Sequence, residues 1–145
     1  MSSKFVEYSL GLLKQNGFRT TRSRLEVLEQ LARTQVPLNP YTLADQLKSS
    51  GEKVDVSTIY RIFEVLKSLS LIHFVKNSQG YMPCLEFSCH ESSHCHHQFV
   101  CEGCDKVLEV HLDDRNFIDA FKAKFSSFTV KSHYFEFSGL CADCS

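Results

Sequence analysis

The chain has 145 residues, 43% hydrophobic and 23% charged, with 16 Lys and Arg against 17 Asp and Glu. This is room for one domain or two small ones of about 60–80 residues, and the composition excludes a disordered chain. No apolar run approaches the roughly 20 residues of a membrane helix, and MSSKFVEYSL lacks the basic start and apolar stretch of a signal peptide. The expectation is a cytoplasmic protein with no membrane partner. There, seven cysteines point to metal rather than to a disulfide framework.

The net charge of −1 averages two unlike halves. Residues 1–80 carry 11 basic against 7 acidic side chains, whereas residues 81–145 carry 5 against 10 and all seven cysteines. Such asymmetry suggests two domains with different partners.

In chain order, residues 4–16 read as a helix with Val6, Leu10 and Leu13 on one face and Gly17 as its stop. A second helix starts at Thr20 or Thr21, with Leu25, Leu28, Leu31 and Ala32 as its stripe. Asn39 and Pro40 suit the N-cap and first position of a third, which carries Leu43, Ala44 and Leu47 and ends at Gly51. Asp55 or Ser57 can cap a fourth, whose Ile59, Ile62, Phe63, Leu66 and Leu69 keep the 3.6-residue period. LIHFVK and YMPCLE around NSQG read as a β-hairpin.

Helices closed by a hairpin suggest a winged helix-turn-helix, with the first helix as an addition ahead of it. The fourth helix would enter a DNA major groove. Its Ser57, Thr58, Tyr60 and Arg61 suit base-edge and phosphate contacts, and Arg19, Thr20, Arg22 and Arg24 gather donors at the start of the second helix. A plain helical bundle is the alternative. A half-chain at net +4 is weakly basic for DNA, and dimerisation would double its phosphate contacts.

The second half is organised by Cys101-x-x-Cys104 and Cys141-x-x-Cys144, with 36 residues between them. Four thiolates complete a tetrahedral structural zinc site, and Gly103 and Gly139 relieve crowding near the two knuckles. The long spacing requires structure that returns the chain: a strand over 106–110, a helix over 113–125 and a strand over 128–137. Two redox dithiols are the alternative, but neither pair sits in a thioredoxin-like βαβ unit. A second group of potential ligands comprises His73, Cys84, His90, His94, Cys95, His96, His97 and Glu109. Each alone has a structural explanation, but together they suggest a second metal site.

FRTTRSRLEVL, VSTIYRIFEVL, HHQFVCEGCDKVLEV and the GLCADC terminus resemble the ferric uptake regulator superfamily over nearly the whole chain. The resemblance implies an α/β (α+β) chain with a winged-helix DNA-binding domain (1–84), a hinge (85–96) and a dimerisation and metal-binding domain (97–145). It implies a homodimer on palindromic, AT-rich double-stranded operator DNA, with structural zinc on Cys101, Cys104, Cys141 and Cys144. Iron and peroxide sensors of this family commonly place a histidine three residues before the first knuckle cysteine, where this chain has Gln98. The zinc uptake regulators take a cysteine from the wing, where this chain has Cys84. The resemblance is closest to them and implies His73, Cys84, His94 and Glu109 as regulatory zinc ligands, with His96 the rival to His94. In some relatives a third site matches Cys95, His97, Asn116 and His133; Asn116 replaces a carboxylate that Asp113 or Asp114 can supply.

The resulting expectation is a zinc-responsive repressor of zinc-uptake genes, with zinc as cofactor and no small-molecule substrate beyond a metal ion. An iron- or peroxide-responsive regulator and a zinc-stabilised protein-interaction module are the alternatives. An enzyme is not expected: the zinc deaminase signature of H-x-E with P-C-x-x-C is missing from the sequence.

Overall fold

The computed structural model describes residues 2–85, 87, 97–110, 112–131 and 133–145. The chain divides into two compact units, Met1–His90 and Glu91–Ser145.

The first unit holds helices α1 (Ser2–Gln15), α2 (Arg22–Arg33), α3 (Pro40–Ser49) and α4 (Val56–Ser68), then strands β1 (Ile72–Val75) and β2 (Gly80–Pro83). Local chemistry sets the boundaries. Thr21, Asn39 and Asp55 each accept a backbone N–H three residues on, from Arg24, Thr42 and Thr58, satisfying donors that a helix start leaves orphaned. Gly17 and Gly51, with φ of 78° and 85°, take up the left-handed geometry that ends a helix. The apolar stripes of the four helices meet in one core, with Leu13, Leu28, Leu31, Leu43, Leu47, Ile59 and Leu66 at 0% exposure. Each such side chain contributes about 1.5–3 kcal/mol by leaving water. In α2, Val27 is buried as well, while Leu25 and Ala32 are only partly covered.

β1 and β2 pair antiparallel, from Ile72 opposite Pro83 to Val75 opposite Gly80. Gln79, at φ 50°, closes the turn. The hairpin is anchored to the α2–α3 loop by a bridge in which Leu38 N–H donates to Tyr81 O (2.9 Å) and Tyr81 N–H to Leu38 O (2.8 Å).

The second unit contains β3 (His97–Cys101), β4 (Val107–Val110), α5 (Arg115–Lys124) and β5 (Glu136–Gly139), with sheet order β4-β3-β5. β3 pairs antiparallel with β4 and parallel with β5. Two features depart from the sequence expectation. Residues 97–101 form the central strand. The final strand is confined to Glu136–Gly139 instead of spanning 128–137, because its ladder is set by β3, on which Glu136 aligns with Gln98 and Gly139 with Cys101.

Candidate metal centres

The two C-x-x-C pairs converge. The Sγ atoms of Cys101, Cys104, Cys141 and Cys144 all lie within 4.8 Å of one another, and Cys104 Sγ is 3.8 Å from Cys141 Sγ. Zn–S bonds of about 2.3 Å in a tetrahedron place sulfurs roughly 3.8 Å apart, so the cluster fits a four-thiolate zinc. Cys101 ends β3, and the parallel β5 delivers the second pair beside it. Asp105, at φ 59°, turns the first knuckle, its N–H donating to Cys101 O at 2.9 Å. Gly103 lets the knuckles approach closely: a Cβ there would lie 3.0 Å from both Cβ and Sγ of Cys144, which would have to give by a few tenths of an ångström. At Gly139 a Cβ would come 3.1 Å from the Phe99 ring.

The thiols are electrostatically unequal. Cys141 N–H donates to Cys101 Sγ at 3.3 Å, and this bond chiefly lowers the Cys101 pKa to about 6. Hydrogen bonding with the Cys141 thiol, then with Cys104 and Cys101, pushes Cys144 up to about 12. Cys101 is therefore the thiol of this cluster held lowest.

On the wing, His73 lies in β1 opposite Met82, and Cys84 follows β2 with its N–H donated to Leu71 O at 2.8 Å. Cys84 is 4% exposed. The ligand atoms of this histidine and cysteine lie within 4.8 Å of each other. Glu109 belongs to the other unit, in β4 opposite Gln98. His90, His94, Cys95 and His96 lie outside the described residues.

A third cluster forms within the second unit. His97 Nε2 is 2.7 Å and His133 Nε2 2.5 Å from Asp114 Oδ2. His97 is 1% exposed, and its Nδ1 accepts the Phe135 N–H at 3.0 Å. The carboxylate comes from Asp114, the residue ahead of α5, which makes no capping bond of its own. Asn116 is exposed in the first turn of α5. Hydrogen bonding from His133, then His97, holds the Asp114 carboxyl below its usual range.

In the helical unit, Ser57, Tyr60 and Arg61 are exposed at the start of α4, and Thr58 is half-buried. Hydrogen bonds from Thr58, then Ser57, hold the Asp55 carboxyl low, which keeps the cap ionised near neutral pH. The Tyr60 ring meets the edge of Tyr41, centroids 6.2 Å apart. Tyr41 is 63% exposed, and sequence patterning did not single it out. Around the start of α2, Arg19 and Thr20 are exposed, but two guanidiniums have partners within the chain. Arg22 donates to Glu52 Oε1, while Arg24 donates to Arg19 O at 2.5 Å and lies 5.5 Å from the centre of the Phe18 ring.

The profile of the ferric uptake regulator family matches residues 15–138. The chain belongs to this family. Its members are metal-responsive transcription regulators and not enzymes, consistent with a site built from metal ligands. The zinc uptake regulation protein of Escherichia coli K12 is 28% identical over 130 residues, 90% of this chain and 75% of that protein. The peroxide-responsive repressor PerR of Staphylococcus saprophyticus is 25% identical over 139 residues, 96% of this chain and 90% of that protein. Among solved structures, a zinc uptake regulator complexed with zinc and DNA superposes with a TM-score of 0.84 at 24% identity, covering 99% of this chain and 94% of that one. Holo XcZur gives 0.77 at 23%, covering 99% and 97%. The chain thus has the α+β fold of this family, with a four-cysteine cluster that fits structural zinc. No helix among the described residues is long and apolar enough to cross a membrane.

Proposed function

We propose that this family member is a zinc-responsive repressor that, as a homodimer with regulatory zinc bound, binds palindromic AT-rich operators of zinc-uptake genes. Residues 1–84 would read DNA, 85–96 act as hinge and 97–145 dimerise. Cys101, Cys104, Cys141 and Cys144 would hold structural zinc, and His73, Cys84, His94 (or His96) and Glu109 the regulatory ion. Arg61 and Tyr60, with Ser57, Thr58, Arg19 and Thr20, would supply base and phosphate contacts. Arg22 and Arg24 would contribute mainly positive charge, given their internal partners. His97 and His133, with Asp114 and Cys95, are the candidates for a third site.

The observation that carries the zinc reading is Cys84, a buried thiol whose ligand atom lies within 4.8 Å of that of His73. One soft ligand shifts a mixed site toward zinc and away from manganese or iron(II). The homodimer is supported by apolar side chains left exposed in the second unit: Leu108 at 65%, Phe117 at 57%, Phe128 at 73% and Leu140 at 53%. Exposed apolar side chains of this size are the kind that a partner surface covers. When bound, the regulatory ion would supply a positive centre for its imidazole, thiolate and carboxylate ligands. A hundredfold preference for the DNA-competent arrangement, about 2.7 kcal/mol, suffices to change operator occupancy substantially.

The peroxide-responsive relatives match at comparable identity, which keeps an iron- or peroxide-responsive regulator as the second reading. A gel-shift titration of wild type and Cys84→Ser, each retaining its four-thiolate zinc, separates the possibilities. The zinc reading expects zinc-dependent operator binding by wild type and its loss in C84S. Full zinc-dependent binding by C84S would overturn the ligand assignment. Binding driven by Fe(II) and not by zinc would establish the second reading, and DNA binding in no metal state would favour an interaction module.

A further inference from the structure

His97, Asp114 and His133 have the composition of a metal centre, but the hydrogen bond behind His97 decides what its ring can do. The backbone N–H of Phe135 donates to His97 Nδ1 at 3.0 Å. A main-chain amide cannot accept, so Nδ1 presents its lone pair and the ring proton stands on Nε2. That nitrogen lies 2.7 Å from Asp114 Oδ2, which accepts its proton. Turning the ring over would set carbon against both partners. The ring is also held in place: His97 is 1% exposed, with the Phe135 ring centred 4.8 Å away.

A zinc ligand needs the opposite arrangement. A histidine bound through Nε2 carries its proton on Nδ1 and donates it to a carbonyl, carboxylate or water. Here that proton would meet the Phe135 N–H head-on. The spacing agrees. Nitrogen and oxygen ligands about 2.0–2.1 Å from a tetrahedral ion stand roughly 3.3 Å apart. The Nε2 atoms of His97 and His133 lie only 2.7 and 2.5 Å from Asp114 Oδ2, separations that suit N–H donors on a carboxylate.

We infer that this cluster is a hydrogen-bonded clasp, closed to metal at His97, that sets the register of β5. Phe135 is gripped twice, its N–H by the His97 ring and its carbonyl by the Gln98 N–H at 2.9 Å. β5 begins at the next residue, Glu136. Its alignment puts Gly139 beside Cys101 and so brings the second C-x-x-C pair to the first. His97 thereby leaves the candidates for a third site, whichever ion the wing residues sense.

The test uses full-length protein labelled with nitrogen-15 histidine and holding its four-thiolate zinc. Nitrogen–proton correlation spectra report the tautomer of each ring, and His97 is the residue whose signals vanish in His97→Gln. The expected spectrum shows His97 with a protonated Nε2 and a bare Nδ1, unchanged when zinc is added to saturation. Loss of the Nε2 proton on adding zinc overturns the inference. Glutamine can accept at Oε1 and donate at Nε2 but is not among the usual zinc ligands. H97Q should therefore carry as many zinc ions per chain as wild type by elemental analysis, and one fewer overturns the closure to metal. Should H97Q fold poorly, His133→Gln supplies the same count and sequential assignment identifies His97. His97→Leu makes neither bond and should yield its four-thiolate zinc to a chelator faster than wild type. Release at the wild-type rate overturns the part played in the β5 register.

Discussion

Replacing Gly80 with alanine probes how the wing is held. An added Cβ would lie 2.8 Å from Pro37 Cβ, 2.9 Å from the Pro37 carbonyl carbon and 3.1 Å from Leu38 N. Backbone and a proline ring cannot rotate away, so the hairpin must retreat by roughly 0.6 Å or more to restore ordinary contact. Retreat pulls on the bridge between Leu38 and Tyr81, whose two hydrogen bonds are 2.9 and 2.8 Å long. Overpacking costs about 1–3 kcal/mol, and each weakened bond adds up to about 1 kcal/mol. The expected loss is about 2–4 kcal/mol, or a fall in Tm of at least about 8 °C for a unit of this size. Gly11→Ala is the matched control, since nothing lies within 4 Å of the methyl it would add and alanine in a helix interior gains about 0.5–1 kcal/mol. Thermal melts followed by the far-ultraviolet helical signal compare the three proteins. A G80A protein melting within about 2 °C of wild type, well short of the fall that this packing requires, would refute the reasoning.

The unequal thiols of the four-cysteine cluster predict the proton balance of zinc binding. Cys101, at about 6, is already a thiolate at pH 7.5, whereas Cys144, at about 12, must give up its proton to the metal. Calorimetry in buffers of different ionisation enthalpy should therefore find fewer than four protons released per zinc at pH 7.5, with one more as pH falls below 6, and affinity decreasing with acidity; release of four at pH 7.5 would contradict the assignment. Asp114 gives a separate acid-limb prediction. A carboxyl held low in the folded state contributes stability that is present above its unfolded value, near about 4, and is lost as pH falls through the lowered folded value. Asp114→Asn should thus be less stable than wild type at pH 7, with the gap closing below about pH 4, and a gap independent of pH would dismiss the His133 and His97 bonds as its source.

The helical half was legible because its determinants are local. Thr21, Asn39 with Pro40, and Asp55 cap through bonds that reach three residues along the chain, so short motifs carry the information. The same holds for C-x-x-C, whose two thiols are presented by one tight turn. The four-cysteine cluster was legible for a further reason: four soft ligands in two pairs have few other uses in one chain.

What the tertiary structure decided depends on register between distant segments. Residues 128–137 carry aromatic and β-branched side chains that suit a strand, yet the final strand is Glu136–Gly139, where the backbone finds β3 to pair with. Asp114 joins His97 and His133, brought there by the entry into α5. The burial of Gln98 beside Glu109 and the pairing of Arg22 with Glu52 likewise join residues 11 and 30 positions apart. The sequence by itself determined the caps, the helical stripes and the chemical character of the ligands. Only the fold decided which ligands meet, because a ladder or ion pair between distant segments depends on the closure of the chain between them.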